Sequence, residues 1–198
     1  MLTPILIAVV AVFVVVVLWL VLAYNGLVTL RNRYLNAFSQ IDVQLKRRYD
    51  LIPNLVEAVK GYMAHERQTL EAVTAARGQA QASLAAASAN PSDSTALNSL
   101  FSAEQGLVSA LGRFRMIAEA YPTLKADRSV GGLMEELSST ENRVAFARQA
   151  YNDSVMVYNT RVQTVPTNVV AGIMGFRPAP LFQIDDQAQR EAVQVKLS

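Results

Sequence analysis

Residues 41–66, IDVQLKRRYDLIPNLVEAVKGYMAHE, gather the side chains of this sequence with the most capacity for chemistry: Asp42, Lys46, Arg47, Arg48, Asp50, Glu57, Lys60, His65 and Glu66. Carboxylates beside an imidazole suit proton transfer or metal ligation, and a basic triplet suits an anion or an acidic partner. The spacings such chemistry needs are missing. A carboxylate-bridged metal pair in a helical bundle requires Glu-x-x-His from each of two helices. Here His65 is the sole histidine, and Tyr62 stands where its glutamate would be. His65-Glu66 opens a zinc-protease motif, but Thr69 occupies the place of the second histidine. The chain has no cysteine, no G-x-S-x-G elbow, and in Gly131-Gly132 neither a P-loop nor a dinucleotide fingerprint. The sequence therefore predicts a non-enzyme: no catalytic, cofactor-binding or metal-ligating residues, and no cofactor. A net charge of +2 gives no footing for nucleic acid.

The same charges have a structural reading. Lys46, Arg47 and Arg48 would close one helix, where cations complement the negative end of the dipole. Asp50 would cap the next helix, with Pro53 in its first turn and Glu57 near its positive end. The competing reading is a basic corner that docks an acidic partner. Glu66 and Glu104 fall on apolar seams by register, at a seam's edge, against an arginine, or as polar residues that fix register. Tyr151 and Tyr158, each followed by Asn, are seven residues apart and read as packing plus hydrogen bonding.

The elements that would position these groups begin with residues 5–24, ILIAVVAVFVVVVLWLVLAY, twenty residues without a charge. That length crosses the hydrocarbon core as a helix. Fifteen of the twenty are Ile, Leu, Val or Phe, which favours insertion by about 5 to 9 kcal/mol. The run is long for a signal peptide, so an uncleaved single-pass anchor is expected. Arg31 and Arg33 follow it and no basic residue precedes it, which places the remainder in the cytoplasm. Beyond the anchor, apolar residues step by three and four. Candidate helices run from Leu27 to Leu45, from Asp50 through Val73, from Leu97 to Tyr121 and from Leu133 to Val165. The breaks are Asn90-Pro91-Ser92-Asp93-Ser94, with Asp93 or Ser94 as N-cap, then Tyr121-Pro122, Val130-Gly131-Gly132 and Val165-Pro166. Each seam averages near 3.5 residues per step and must bury against other helices. The expected fold is all-α: a transmembrane helix continuing into an antiparallel up-down-up-down four-helix bundle with long helices. The expected divisions are an anchor at 1–25, a bundle at 26–182 and a polar, mobile tail at 183–198.

Two uncharged segments stand out. Were the first helix to end near Tyr49, helical rise would return both the Ala-rich tip at 78–92 and residues 165–182, with Arg177 their only charge, to the bilayer surface. There they would touch lipid or a neighbouring protomer; the alternative is a plain loop and a segment folded back on the bundle.

Several motifs carry a family likeness. They are the apolar span ending in Tyr24-Asn25, the 41–66 stretch, EAYPTLKA at 119–126, ELSSTENRVAFARQAYNDSVMVYN at 136–159 and GFRPAPLF at 175–182. Together, and in this order, they resemble the LemA family of bacterial membrane proteins over nearly the whole chain. Val130-Gly131-Gly132 departs from the usual pattern, which has an aromatic there. The resemblance implies a single-pass inner-membrane anchor, a long helical bundle and no established catalysis. Magnetosome membrane proteins among the relatives imply membrane organisation, and members encoded near membrane zinc proteases imply an adaptor role. The expected function is a membrane-anchored, non-enzymatic helical scaffold that assembles at the bilayer with itself or with membrane-protein partners. The alternative is an adaptor or regulatory subunit of a membrane protease or transporter complex.

Overall fold

From Ala23 onward, buried residues of the first helix recur at Leu27, Tyr34, Phe38, Ile41, Leu45, Tyr49, Ile52, Leu55 and Val59. This seam steps by three or four residues, and once by seven between Leu27 and Tyr34; it passes Pro53 without pausing, and the helix passes with it. The computed structural model describes residues 2–63 and 65–182, and in it α1 runs unbroken from Leu2 to Val59. The sequence reading of Asp50 and Pro53 as the start of a new helix is corrected here. Proline inside a helix removes the N–H that would bond to the carbonyl four residues back, here Tyr49. The Arg77 Nε donates to that carbonyl at 2.6 Å. A side chain from the neighbouring helix thus replaces the missing bond, and Pro53 itself faces solvent.

This substitution of donors is measurable. Arg77→Met strands a part-buried carbonyl and should cost about 1–3 kcal/mol. In a Pro53→Ala background the restored N–H satisfies Tyr49, so the cost of losing Arg77 should fall well below that. A double-mutant cycle by chemical denaturation in detergent reads the difference; equal costs in both backgrounds would refute the pairing.

α1 breaks at residues 60–66, and α2 spans Arg67–Ala89. Asp93 caps α3 (Ser94–Ala118), its carboxylate accepting from the Thr95 N–H at 2.8 Å, as expected for that turn. One turn, α4 (Pro122–Ala126), carries proline in its first turn. α5 (Arg128–Gln163) starts earlier than its glycines suggest: the Asp127 carboxylate accepts from the Ser129 and Val130 N–H groups, and Gly131 and Gly132 lie within the helix. Tyr62 donates to the same carboxylate at 2.9 Å, and this bond with the two backbone ones holds Asp127 below the usual carboxylate pKa. α6 (Thr167–Ile173) follows. Gly175, at φ 73°, takes the left-handed turn that ends it, and the Phe176 N–H bonds to the Ala171 carbonyl at 2.9 Å.

The fold is all-α, and no strand forms among the described residues. α1 pairs with α5, α2 with α3, and α1 with α2. Directions follow from cross-helix contacts. Tyr34 meets Tyr158 at 5.1 Å between centroids and Arg47 meets Glu136 at 2.5 Å, so α5 descends as α1 climbs. Asp42 accepts from Ser88 and Tyr49 from Arg77, so α2 descends as well.

The two helix pairs differ in length. α5 has 36 residues, whereas α2 and α3 have 23 and 25. At 1.5 Å per residue the α2–α3 hairpin is about 17 Å shorter than α5. Its turn sits beside Tyr34, whose hydroxyl is 3.0 Å from Ser92 Oγ. Tyr34 is ten residues, about 15 Å of helix, beyond Tyr24. The expectation that residues 78–92 reach the level where the apolar run ends is therefore corrected: α1 climbs to Val59, and the shorter α2 does not return all the way. α6 lies below that turn on α1 and α5, and residues 177–182 climb from it along α5, from Tyr158 to Asn152. The tail at 183–198 lies outside the described residues.

Candidate functional site

Lys46, Arg47, Arg48 and Asp50 do not sit at helix ends but in the middle of α1. Lys46 bonds Asp42 one turn back at 2.7 Å, Arg47 bonds Glu136 of α5, and Lys60 lies 3.5 Å from Glu57. Asp50 is exposed in mid-helix and caps nothing. Arg48 is the exception. It follows Leu45 by three residues on the seam, and only 2% of it is exposed. Its guanidinium donates to Glu104 of α3, 7% exposed, and the Tyr49 hydroxyl donates to the other carboxylate oxygen. The arginine expected for a seam glutamate is thus present for Glu104. Glu66 instead lies half-buried at the start of α2, 3.4 Å from the Tyr121 hydroxyl. The basic corner is not a free one: Arg48 is buried, and Lys46 and Arg47 are engaged by carboxylates of the same chain.

Burial, then the charge and the bond of Glu104, push the Tyr49 phenol well above its usual pKa. It stays a donor. Beside this cluster a groove of about 520 Å³ opens between α3 and α5, lined by Arg48, Glu104, Phe101, Val108, Glu141 and Arg148. Glu141 is bound by Arg115 at 3.0 Å. Arg148 lies over the rings of Phe182, 4.9 Å from its centroid, and Phe101, 5.7 Å. Burial lowers its pKa, while Glu104 raises it and Arg48 lowers it. Each carboxylate of the groove is thus committed to a cation. The arrangement ties α1 to α3 and α3 to α5 through charge. His65 is exposed on the α1–α2 turn, and among the described residues no group of three or more His, Cys, Asp or Glu gathers around a metal-sized space.

The second cluster is a clamp. Asn159 of α5 holds the backbone of Ala179, donating to its carbonyl at 2.8 Å and accepting its N–H at 2.7 Å. Seven residues earlier, Asn152 holds Phe182 in the same way, at 3.0 and 2.8 Å. Tyr158 and Tyr151 donate to the carbonyls of Arg177 and Pro180. A carboxamide has the donor and acceptor needed to grip one residue's N–H and C=O together. Two Tyr-Asn pairs one heptad apart present that grip twice along one face of α5. Burial raises the phenol pKa of Tyr151 and Tyr158, which keeps both as donors. The strap, residues 177–182, ends with Phe182 wedged against Phe101 of α3 and Arg148 of α5, so clamp and ion cluster adjoin. Sequence reading of Tyr151 and Tyr158 foresaw packing and hydrogen bonding but not the partner. Their heptad repeat, with Asn following each, was the available signal.

The profile of the LemA family matches residues 37–197, which contain the cluster, the clamp and the strap. The chain belongs to the LemA family. Among curated relatives, this LemA chain is 28% identical over 179 residues to magnetosome protein MamQ 2 of Paramagnetospirillum magneticum, covering 83% of the chain and 66% of the relative. It is 27% identical to MamQ of Magnetospirillum gryphiswaldense, with 82% and 65% covered. Protein LemA of Metamycoplasma hominis is 25% identical over 162 residues, 82% of the chain and 69% of the relative. The chain thus spans just under two thirds of the length of the MamQ proteins it matches.

Proposed function

We propose that this LemA-family chain is a single-pass, membrane-anchored helical scaffold that works by contact rather than catalysis. The observation that carries it is the continuity of α1. Residues 3–22 are exposed on every side and apolar, and from Ala23 the same helix becomes the central seam of the bundle. An all-round apolar helix segment with no protein partner matches the solvent requirements of a bilayer. Arg31 and Arg33, just past the span, favour a cytoplasmic bundle at the inner membrane. The kinship with magnetosome proteins is consistent with organising a membrane. Support for non-catalytic work comes from the groove, whose carboxylates Glu104 and Glu141 are bound by arginines.

Phe146, on α5, is 73% exposed and offers a crosslinking position on the surface of the bundle. A photo-crosslinking residue placed there in native membranes should capture a second copy of this chain, and the protein should stay in the membrane pellet through alkaline washing. Capture of a different protein in stoichiometric amount would replace the scaffold by an adaptor. Release into the wash would overturn the anchor.

A further inference from the structure

Residues 162–176, VQTVPTNVVAGIMGF, contain no charged side chain. Their structure is two-faced. Thr167, Val170 and Ala171 of α6 are buried. Val165, Val169, Ile173 and Met174 are 75, 58, 75 and 57% exposed, and Val169 and Ile173 stand one helical turn apart. Apolar residues scattered singly on a surface need no explanation, but a cluster without charges does.

Its position supplies one. α6 packs on α1 and α5, and the ring of Phe176, just past it, meets Tyr24 edge-on at 5.7 Å. Tyr24 is the last residue of the uncharged apolar run, and Trp19 precedes it by five residues. Aromatic rings of this kind mark the headgroup level at the end of a span. The exposed face of α6 therefore stands at the height where the fully exposed apolar stretch of α1 ends, continuous with it across the Tyr24–Phe176 contact. In water this face would leave four large apolar side chains solvated beside an unpartnered span. In the acyl–headgroup boundary it would be satisfied, as amphipathic segments lying in that plane are.

We infer that α6 and its flanks form an interfacial foot: the exposed side chains of Val169 and Ile173, with Val165 and Met174 at its two ends, rest in the headgroup region of the bilayer that α1 crosses. This rests on the anchoring reading of α1 and adds a second contact with the same lipid leaflet. It narrows the two uncharged segments to one, since the Ala-rich tip stands about 15 Å higher along α1.

The absence of cysteine allows a direct test. Full-length single-cysteine variants Val12→Cys, Val108→Cys and Ile173→Cys are labelled with an environment-sensitive fluorophore and reconstituted in phosphatidylcholine–phosphatidylglycerol vesicles. Val12 reports the span, and Val108, exposed on α3, reports the aqueous bundle. The label at Ile173 should be quenched by bromine placed shallowly on the lipid chains at least about threefold more than the label at Val108, and be correspondingly shielded from aqueous iodide. If Val12 is lipid-quenched while Ile173 behaves like Val108, the foot is overturned and the anchor stands. Shielding of Ile173 from iodide without lipid quenching also overturns it, in favour of a protein contact. If Val12 is not lipid-quenched, the anchor fails and the foot fails with it.

Discussion

Replacing Glu104 with alanine should lower the thermal midpoint of the bundle by roughly 6–20 °C, from a loss of about 3–5 kcal/mol. The side chain is 9% exposed and its partner Arg48 3%. Removing the carboxylate leaves a guanidinium in the seam of α1 with no counter-charge, and leaves the Tyr49 hydroxyl without its acceptor. The penalty is that of an uncompensated buried charge, so it should shrink when the charge goes too. Arg48→Met with Glu104→Leu fills the same space with apolar groups and should recover most of the loss. Glu104→Gln retains an acceptor for Tyr49 but not the charge, and should fall between. Melting followed by the helical circular dichroism signal in detergent micelles separates the three. A double variant no better than Glu104→Ala would mean that the pair does more than neutralise itself.

The second large effect concerns the strap. Asn152→Ala with Asn159→Ala removes all four bonds that grip the backbones of Phe182 and Ala179. At about 1 kcal/mol or more for each clamp lost, hydrogen exchange at the Ala179 and Phe182 amides should accelerate by at least about 30-fold. Exchange along the α1 seam should be far less affected, because the four bonds removed run from α5 to the strap and none reaches α1. Asn→Asp at both positions is the sharper control. A carboxylate can still accept the strap N–H groups but cannot donate to the carbonyls, so protection should be partly kept. Unchanged exchange in the alanine double variant would show that Phe182 and the tyrosines suffice to hold the strap.

Much of this architecture is legible in the residues, and its misreadings come chiefly from contacts between residues distant in sequence. Apolar steps of three and four identify helices, and Asp93 marks a helix start because its short carboxylate reaches the free N–H groups of the first turn. Pro53 is where local chemistry misleads. Its backbone cost is real, but the seam beyond it and a donor from Arg77, 28 residues away, outweigh the cost. The same long-range rescue hides Arg48. Taken as part of a helix end, it reads as a dipole partner; on a helix that continues to Val59 it occupies a seam position and must find an anion. Glu104 is visible as a seam acid, yet the pairing requires α3 to face α1 across the bundle, and tertiary contacts of that kind leave no local trace. Gly131 and Gly132 suggest a break, but the Asp127 cap starts α5 ahead of them. For the strap, the repeated Tyr-Asn step is visible in the chain, whereas its ligand is a backbone, which any sequence supplies equally.

The unequal helix pairs make α1 and α5 a pillar with the broader part of the protein set on top. Because the α2–α3 turn stops beside Tyr34, the proposed membrane anchoring of α1 would hold the wide end about 15 Å above the level where the apolar run ends. Whatever docks there would meet the protein at a fixed altitude, set by the ten residues of α1 between Tyr24 and Tyr34.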